Sequence, residues 1–184
     1  MKKTIFHGSQ SIIEKPVFGY GKSRNDYGLG FYCTEDLTLA KEWAVTKDSN
    51  GYANCYSIET ENLTCLDLNS EQYTILHWLS VLLENRIFDI NTALAQEAKE
   101  YLLKNFSVPY NEYDIITGYR ADDSYFSFAQ DFINGAISVR QLGNAMHLGK
   151  LGTQFVLKSQ KAFNQLEFKN YEIADGKKYY NLRL

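Results

Sequence analysis

Residues 26–32 read Asp26-Tyr27-Gly28-Leu29-Gly30-Phe31-Tyr32. Two glycines one residue apart raise the question of a dinucleotide-binding turn, in which a third glycine follows and the loop opens a helix. Here the third glycine is missing, and Phe31-Tyr32-Cys33-Thr34 is a run of β-favouring residues, so the loop feeds a strand. That context sets aside the doubly wound nucleotide fold. Any nucleotide site in this chain must come from another architecture.

Outward from this loop the pattern alternates between strand and helix signals. Thr4 to Ser9 starts as a short strand and ends in turn chemistry, and Gly19 to Gly30 is a surface loop with four glycines. Glu35-Asp36 opens a helix with Asp36 as N-cap, and Leu39, Ala40, Trp43 and Ala44 fall on one face. Asn54 to Leu68 predicts one or two strands. Ser70 is expected to cap a helix running to Asn85, and Asn91 a second one to Lys104, giving a helical pair that Pro109 ends. Tyr113 to Gly118 reads as a buried strand. Ser124 to Ile133 and Ser138 to His147 read as helices, and Thr153 to Leu157 as a strand. Ser159 then caps a single helical turn before a strand over Leu166 to Ile173. No composition shift marks a linker, so residues 1–184 are expected to form one α+β domain.

Bulk composition narrows the function classes. A chain of 184 residues buries enough surface to fold without disulfides or metals. Aromatics reach 15% with only 2 prolines, which favours a strand-rich chain over a disordered one. The net charge of −3 argues against a general basic surface for nucleic acid, although it says nothing of a local groove. Cys33, Cys55 and Cys65 are too few and too irregularly spaced for a zinc site or a disulfide framework, so free thiols and no metal are expected. MKKTIFHGSQ carries two lysines with no apolar stretch behind them, and no run nears the ~18 apolar residues of a spanning helix. A cytoplasmic protein with no membrane partner is therefore expected.

Three local patterns then occur in one order. His7-Gly8-Ser9 ends the first strand, where glycine lets a ligand approach the backbone N–H and C=O, and His7 offers its ring to a hydroxyl. Tyr32 follows the glycine loop and Trp43 comes eleven residues later; two converging aromatics sandwich a flat, cationic ring. Gly152-Thr153-Gln154-Phe155-Val156-Leu157 is a strand that begins with polar side chains.

This order, HGS, then GLGFY, then the spaced aromatic, then TQFVL, resembles the H-Y-E class of ADP-ribosyltransferases, which includes diphtheria-type toxins and poly(ADP-ribose) polymerases. The wider pattern resembles a bacterial family of the same clan. It adds Trp78-Leu79 and Asn85-Arg86, Tyr113-Asp114-Ile115, Ala121-Asp122-Asp123 and Gln154-Phe155. Members of that family often lie in toxin–antitoxin loci.

The resemblance implies an ADP-ribosyltransferase-like split β-sheet core with an inserted helical pair, and NAD as substrate in the cleft between two small sheets. It makes His7, Tyr32 and Gln154 the catalytic set, with His7 on the ribose 2′-hydroxyl and Gly8 on the carboxamide. His7, Gly8, Ser9, Arg24, Gly30, Phe31, Tyr32 and Trp43 would bind NAD, Arg24 meeting the diphosphate. Two departures matter. Ala40 stands where the polymerases place a serine, and Gln154 where the class places a glutamate. Gln accepts a hydrogen bond but brings neither negative charge nor base. The expectation is mono-ADP-ribosylation of a macromolecule, protein or nucleic acid, with NAD glycohydrolase side activity, by a bacterial or phage toxin partnered by a small antitoxin protein. The alternative is a catalytically weak NAD- or ADP-ribose-binding module.

Asp122 and Asp123 are candidates for the missing acid or base, against a bland role as helix-start residues. His77, inside an amphipathic helix, and His147, near a helix end, read as structural, and Glu35 and Asp36 as helix-start residues.

Overall fold

The computed structural model describes residues 1–121, 123–148 and 152–183. Two sheets organise it. The first has the order β1-β3-β7, from β1 (Lys2–Ser9), β3 (Gly51–Glu59) and β7 (Leu166–Ala174), all antiparallel. The second has the order β2-β6-β5-β4, from β2 (Phe31–Cys33), β6 (Thr153–Leu157), β5 (Ile115–Tyr119) and β4 (Cys65–Asp67). Its β4–β5 pair is parallel and the others antiparallel. Among the described residues a single bridge joins the sheets: Phe6 and Thr34 exchange both backbone hydrogen bonds, at 2.8 and 2.9 Å. Beyond that bridge β1 and β2 part.

The central strands β5 and β6 of the second sheet are buried on both faces, which explains their apolar runs Ile115-Ile116 and Phe155-Val156-Leu157. Ile115, Phe155 and Leu157 pack with Ile5, Tyr56 and Ile58 of the first sheet. Their neighbours Ile116 and Val156 turn the other way, into a larger core with Leu66, Trp78, Leu79 and Leu82. Helices α2 (Ile75–Asn85), α3 (Ala93–Asn105), α4 (Asp123–Ile133) and α5 (Val139–Leu148) cover this face. Helix α1 (Leu37–Ala44) instead lies on β1 and β3. The short helices α6 (Gln160–Phe163) and α7 (Gly176–Tyr180) flank β7.

Most predicted elements form, and the capping chemistry explains the boundaries. The Asp36 carboxylate accepts from Thr38 N and Leu39 N, and Ser159 Oγ from Ala162 N. Two starts are corrected. Ser70 does not cap α2; its hydroxyl donates to Asp67 O in a turn, and the helix begins after Thr74, whose backbone N–H donates to His77 Nδ1 at 3.0 Å. Asn91 gives way to Thr92, whose hydroxyl accepts from Ala95 N. In both cases several cap-competent residues precede the apolar run, and burial of α2's apolar face selects among them.

Glycines set how closely α1 approaches the first sheet. A Cβ on Gly51 would run into the carbonyl of Ala44, and one on Gly8 into the carbonyl of Ala40. Both obstacles are backbone and cannot swing aside. Gly51→Ala is therefore expected to lower the unfolding free energy by about 1–3 kcal/mol, read as a shifted urea midpoint with an unchanged m-value.

Candidate functional site

The parting of β1 and β2 opens a cleft of ≈ 400 Å³, inside the usual range of small-molecule sites. His7, Gly30, Phe31, Tyr32, Trp43 and Gln154 all line it. Residues from four separate elements thus converge as the three sequence patterns anticipated. Register explains the convergence of two of them. Tyr32 pairs with Val156, so Tyr32, Val156 and, two residues along, Gln154 project from one face of the second sheet.

Phe6 bonds β2 through its backbone, so the alternate residue Gly8 turns its N–H and C=O to the same side of β1, where β2 has departed. Gly8 itself does not line the cavity. Neither does Ser9, whose hydroxyl takes part in a turn with Ser11 and accepts from Asn54 Nδ2 at 3.1 Å.

His7 stacks on Phe31, with ring centroids 4.3 Å apart. Its Nδ1 lies 2.7 Å from the carbonyl of Tyr32. A carbonyl only accepts, so Nδ1 carries the proton and Nε2 of the neutral ring is the acceptor left over. Burial holds the imidazole pKa below its ordinary value, partly offset by the bond to the Tyr32 carbonyl.

Tyr32 is held at its far end. Its hydroxyl donates to Gly28 O at 2.6 Å and accepts from Tyr27 N at 3.0 Å. Gly28 turns back to meet it with φ of 72°, and a Cβ there would stand 2.6 Å from Asn85 Oδ1. Glycine is required on both counts. The loop is clamped further by Lys158 Nζ, which donates to Tyr27 O at 2.5 Å, and by the buried Tyr27, whose hydroxyl donates to Tyr119 O. Desolvation lowers the Lys158 pKa to about 8.

Behind Gln154 stands a residue read in the sequence only as part of the glycine loop. The buried Asp26 carboxylate accepts from Arg86 at 2.7 Å, from Ala121 N at 2.8 Å and from Gln154 Nε2 at 3.3 Å. Burial raises its pKa, and the hydrogen bonds from Ala121 N and Arg86 together with the Arg86 and Arg120 charges oppose the rise. Among the described residues, two buried side-chain polar atoms have no hydrogen-bond partner: Trp43 Nε1 and Gln154 Oε1. One is a donor and one an acceptor, and both residues line this cleft.

The family match fits this geometry in extent. A family model described as a protein of unknown function (DUF3990) matches residues 3–168 and so takes in every lining residue. The chain belongs to the DUF3990 family. No curated protein and no solved structure matches it.

Other sequence candidates fall elsewhere in this DUF3990 chain. Arg24 is exposed and outside the cavity lining, whereas Lys22 and Arg120 belong to the lining. The Arg120 guanidinium stands 5.3 Å from the Trp43 ring centroid, so it occupies one face of that indole. Asp122 and the side chain of Asp123 lie outside the described residues; Asp123 is the first residue of α4. His77 serves the start of α2, and His147 Nδ1 meets the Tyr119 hydroxyl at 3.1 Å. All three cysteines are free, no group of metal-ligating side chains occurs among the described residues, and no described helix is long and apolar enough to cross a membrane. Arg120 and Asp26 were missed because each has a commonplace local role. Their signal lay in adjacency to quoted motifs: Arg120 precedes Ala121-Asp122-Asp123, and Asp26 opens the glycine loop.

Because burial depresses the His7 pKa, the unfolded chain takes up a proton below its ordinary pKa of ~6.5 that the folded chain refuses. The stabilisation is complete above that value and is lost as pH falls. The thermal midpoint is expected to drop between about pH 7.5 and about pH 5.5, and His7→Asn to flatten that slope.

Proposed function

We propose that this protein is an NAD-dependent mono-ADP-ribosyltransferase whose nicotinamide pocket is the cleft of His7, Tyr32, Trp43 and Gln154. The observation that carries the reading is the pair of orphaned polar atoms, Trp43 Nε1 and Gln154 Oε1, on residues that line the cleft where β1 and β2 part. A ligand suited to them offers both an acceptor and a hydroxyl or amide donor. NAD carries a carboxamide and two ribose hydroxyls within the span of one nucleoside. His7 Nε2 and Gln154 Oε1 are the two acceptors for those hydroxyls, and Gly8 directs a backbone donor and acceptor toward the same opening. The two-sheet core with its bridge and parting strands supports the reading of an ADP-ribosyltransferase-like split sheet, with α2 and α3 as the inserted helical pair.

In the reaction, the bond between nicotinamide nitrogen and ribose C1′ breaks, nicotinamide leaves with the electron pair, and an acceptor nucleophile bonds C1′ and loses its proton. The transition state is oxocarbenium-like, and stabilising its positive charge is the protein's main task. The π face of Tyr32, fixed by its tethered hydroxyl, suits both the departing ring and that cation. Arg120 leaves a flat ring only the other face of Trp43. With Lys22 it takes the diphosphate role first read for Arg24. With no carboxylate at 154, transfer of a single unit, with water as a competing acceptor, fits better than polymer growth. The acceptor is a macromolecule, protein or nucleic acid. The toxin role and a small antitoxin partner rest on the resemblance alone, and a cytoplasmic site of action on the sequence pattern of the N-terminus and of the apolar runs.

Purified protein incubated with NAD and cell extract is expected to release nicotinamide. Tyr32→Ala should abolish release, and Gln154→Ala should slow it by about 10²-fold. Mass spectrometry of extract treated with labelled NAD, searched for modified proteins and nucleic acids alike, identifies the acceptor. Failure to release nicotinamide with any extract, or release that survives Tyr32→Ala, overturns the assignment.

A further inference from the structure

We infer that Asp26 is a positioning residue for Gln154: its carboxylate holds the amide by the NH₂ group, fixes Oε1 as the acceptor offered to substrate, and excludes a second carboxylate at position 154. The inference rests on the functional reading above for its activity readout, but its structural content is independent of it.

The Asp26 carboxylate is a junction of three chain segments. Oδ1 accepts from Arg86 just after α2, and Oδ2 accepts both from Ala121 N just after β5 and from Gln154 Nε2 in β6, at 3.3 Å. An ionised carboxylate only accepts, so the Gln154 amide has one allowed orientation, NH₂ toward Asp26 and oxygen away. That oxygen is the buried acceptor without a partner. Donating to an anion also draws electron density onto the amide oxygen and makes it a better acceptor for a hydroxyl beside a developing cation.

The charges around this pair explain the residue type. Arg86 and Arg120 are the cations acting on Asp26; the Tyr27 and Tyr32 hydroxyls are its other titratable neighbours, and His7 lines the same cleft as Gln154. With glutamine at 154 the cluster holds one buried anion against two guanidinium groups. Glutamate there would put two carboxylates within hydrogen-bond distance, which cannot both ionise without large cost. The negative charge of this cluster thus sits in the glycine loop, on Asp26, and reaches substrate through the Gln154 amide.

Three variants test this: Gln154→Glu, Asp26→Asn and the double D26N/Q154E, each assayed from about pH 5.5 to about pH 8.5 for nicotinamide release and thermal midpoint. In Gln154→Glu the two carboxyl groups share a proton at low pH, and the protonated carboxyl introduced at position 154 imitates the amide. Its folded-state pKa is raised, so stability is present at low pH and lost as pH rises. Release and thermal midpoint relative to the unsubstituted protein should both fall toward high pH, release by about tenfold. In the double variant the amide introduced at position 26 donates to an ionised carboxylate at position 154, and this alkaline loss should disappear. Asp26→Asn alone turns the Gln154 amide around and should cut release by about 10–100-fold. A purely structural role for Asp26 predicts that Asp26→Asn lowers the thermal midpoint without slowing release from the folded protein, and that the double variant restores the thermal profile but not release. Either result overturns the inference. Should the unsubstituted protein release no nicotinamide, the functional reading falls, and the thermal profile of Gln154→Glu still decides whether Asp26 excludes a second carboxylate at position 154.

Discussion

A single buried carboxylate ties the cleft to the rest of the molecule. Asp26 receives Arg86 from the end of α2, the Ala121 backbone from the end of β5, and the Gln154 amide from β6. A buried charge is tolerable only when paired and hydrogen-bonded, so each of these donors is constrained by the same requirement. The consequence for α2 is direct. Its last residue Asn85 and its C-cap Arg86 grip the glycine loop, Asn85 by packing on Gly28 and Arg86 by its ion pair. The helical layer therefore does more than cover apolar sheet: it sets where the loop can lie, and the loop sets where Tyr32 stands.

The second constraint is the parting of the two sheets. One bridge, Phe6 with Thr34, keeps β1 and β2 together at one end, while the shared core of Ile5, Tyr56, Phe155 and Leu157 holds the sheets against each other. Past the bridge the strands no longer satisfy one another, and polar groups that a continuous sheet would have paired become available. His7 sits at this point. Its neutral, buried ring is fixed by the Tyr32 carbonyl and by stacking on Phe31, so its orientation is settled by the fold before any ligand arrives. The same holds for Tyr32, tethered through its hydroxyl to Tyr27 and Gly28. Such preorganisation suits a site whose work is positioning and charge stabilisation.

Much of this was legible in the sequence because it depends on local pattern. Asp36 caps α1 and Ser159 caps α6, as each side chain's reach to the third backbone N–H dictates. Ile115 and Ile116 announce a buried strand by being apolar without alternation. Six of the residues read as a pocket, His7, Gly30, Phe31, Tyr32, Trp43 and Gln154, line one cleft. Local pattern failed where two residues had equal local claims. Ser70 and Thr74 are both competent caps, as are Asn91 and Thr92, and packing chose the later one in each case. Arg24 and Arg120 were both available cations, and only the path of β5 brings one of them to Trp43.

Residue type and spacing alone determined that the glycine loop feeds a strand, that three motif segments carry the polar and aromatic groups of a site, and that position 154 lacks a carboxylate. Those follow from backbone preferences and side-chain chemistry, which act over a few residues. Tertiary structure alone decided what stands beside the Gln154 amide. Asp26 is 128 residues away from Gln154 in the chain and within hydrogen-bond distance in the fold. No short-range rule connects them; the burial that makes one carboxylate costly, and a second one prohibitive, exists only once the sheet and the helices have closed around it.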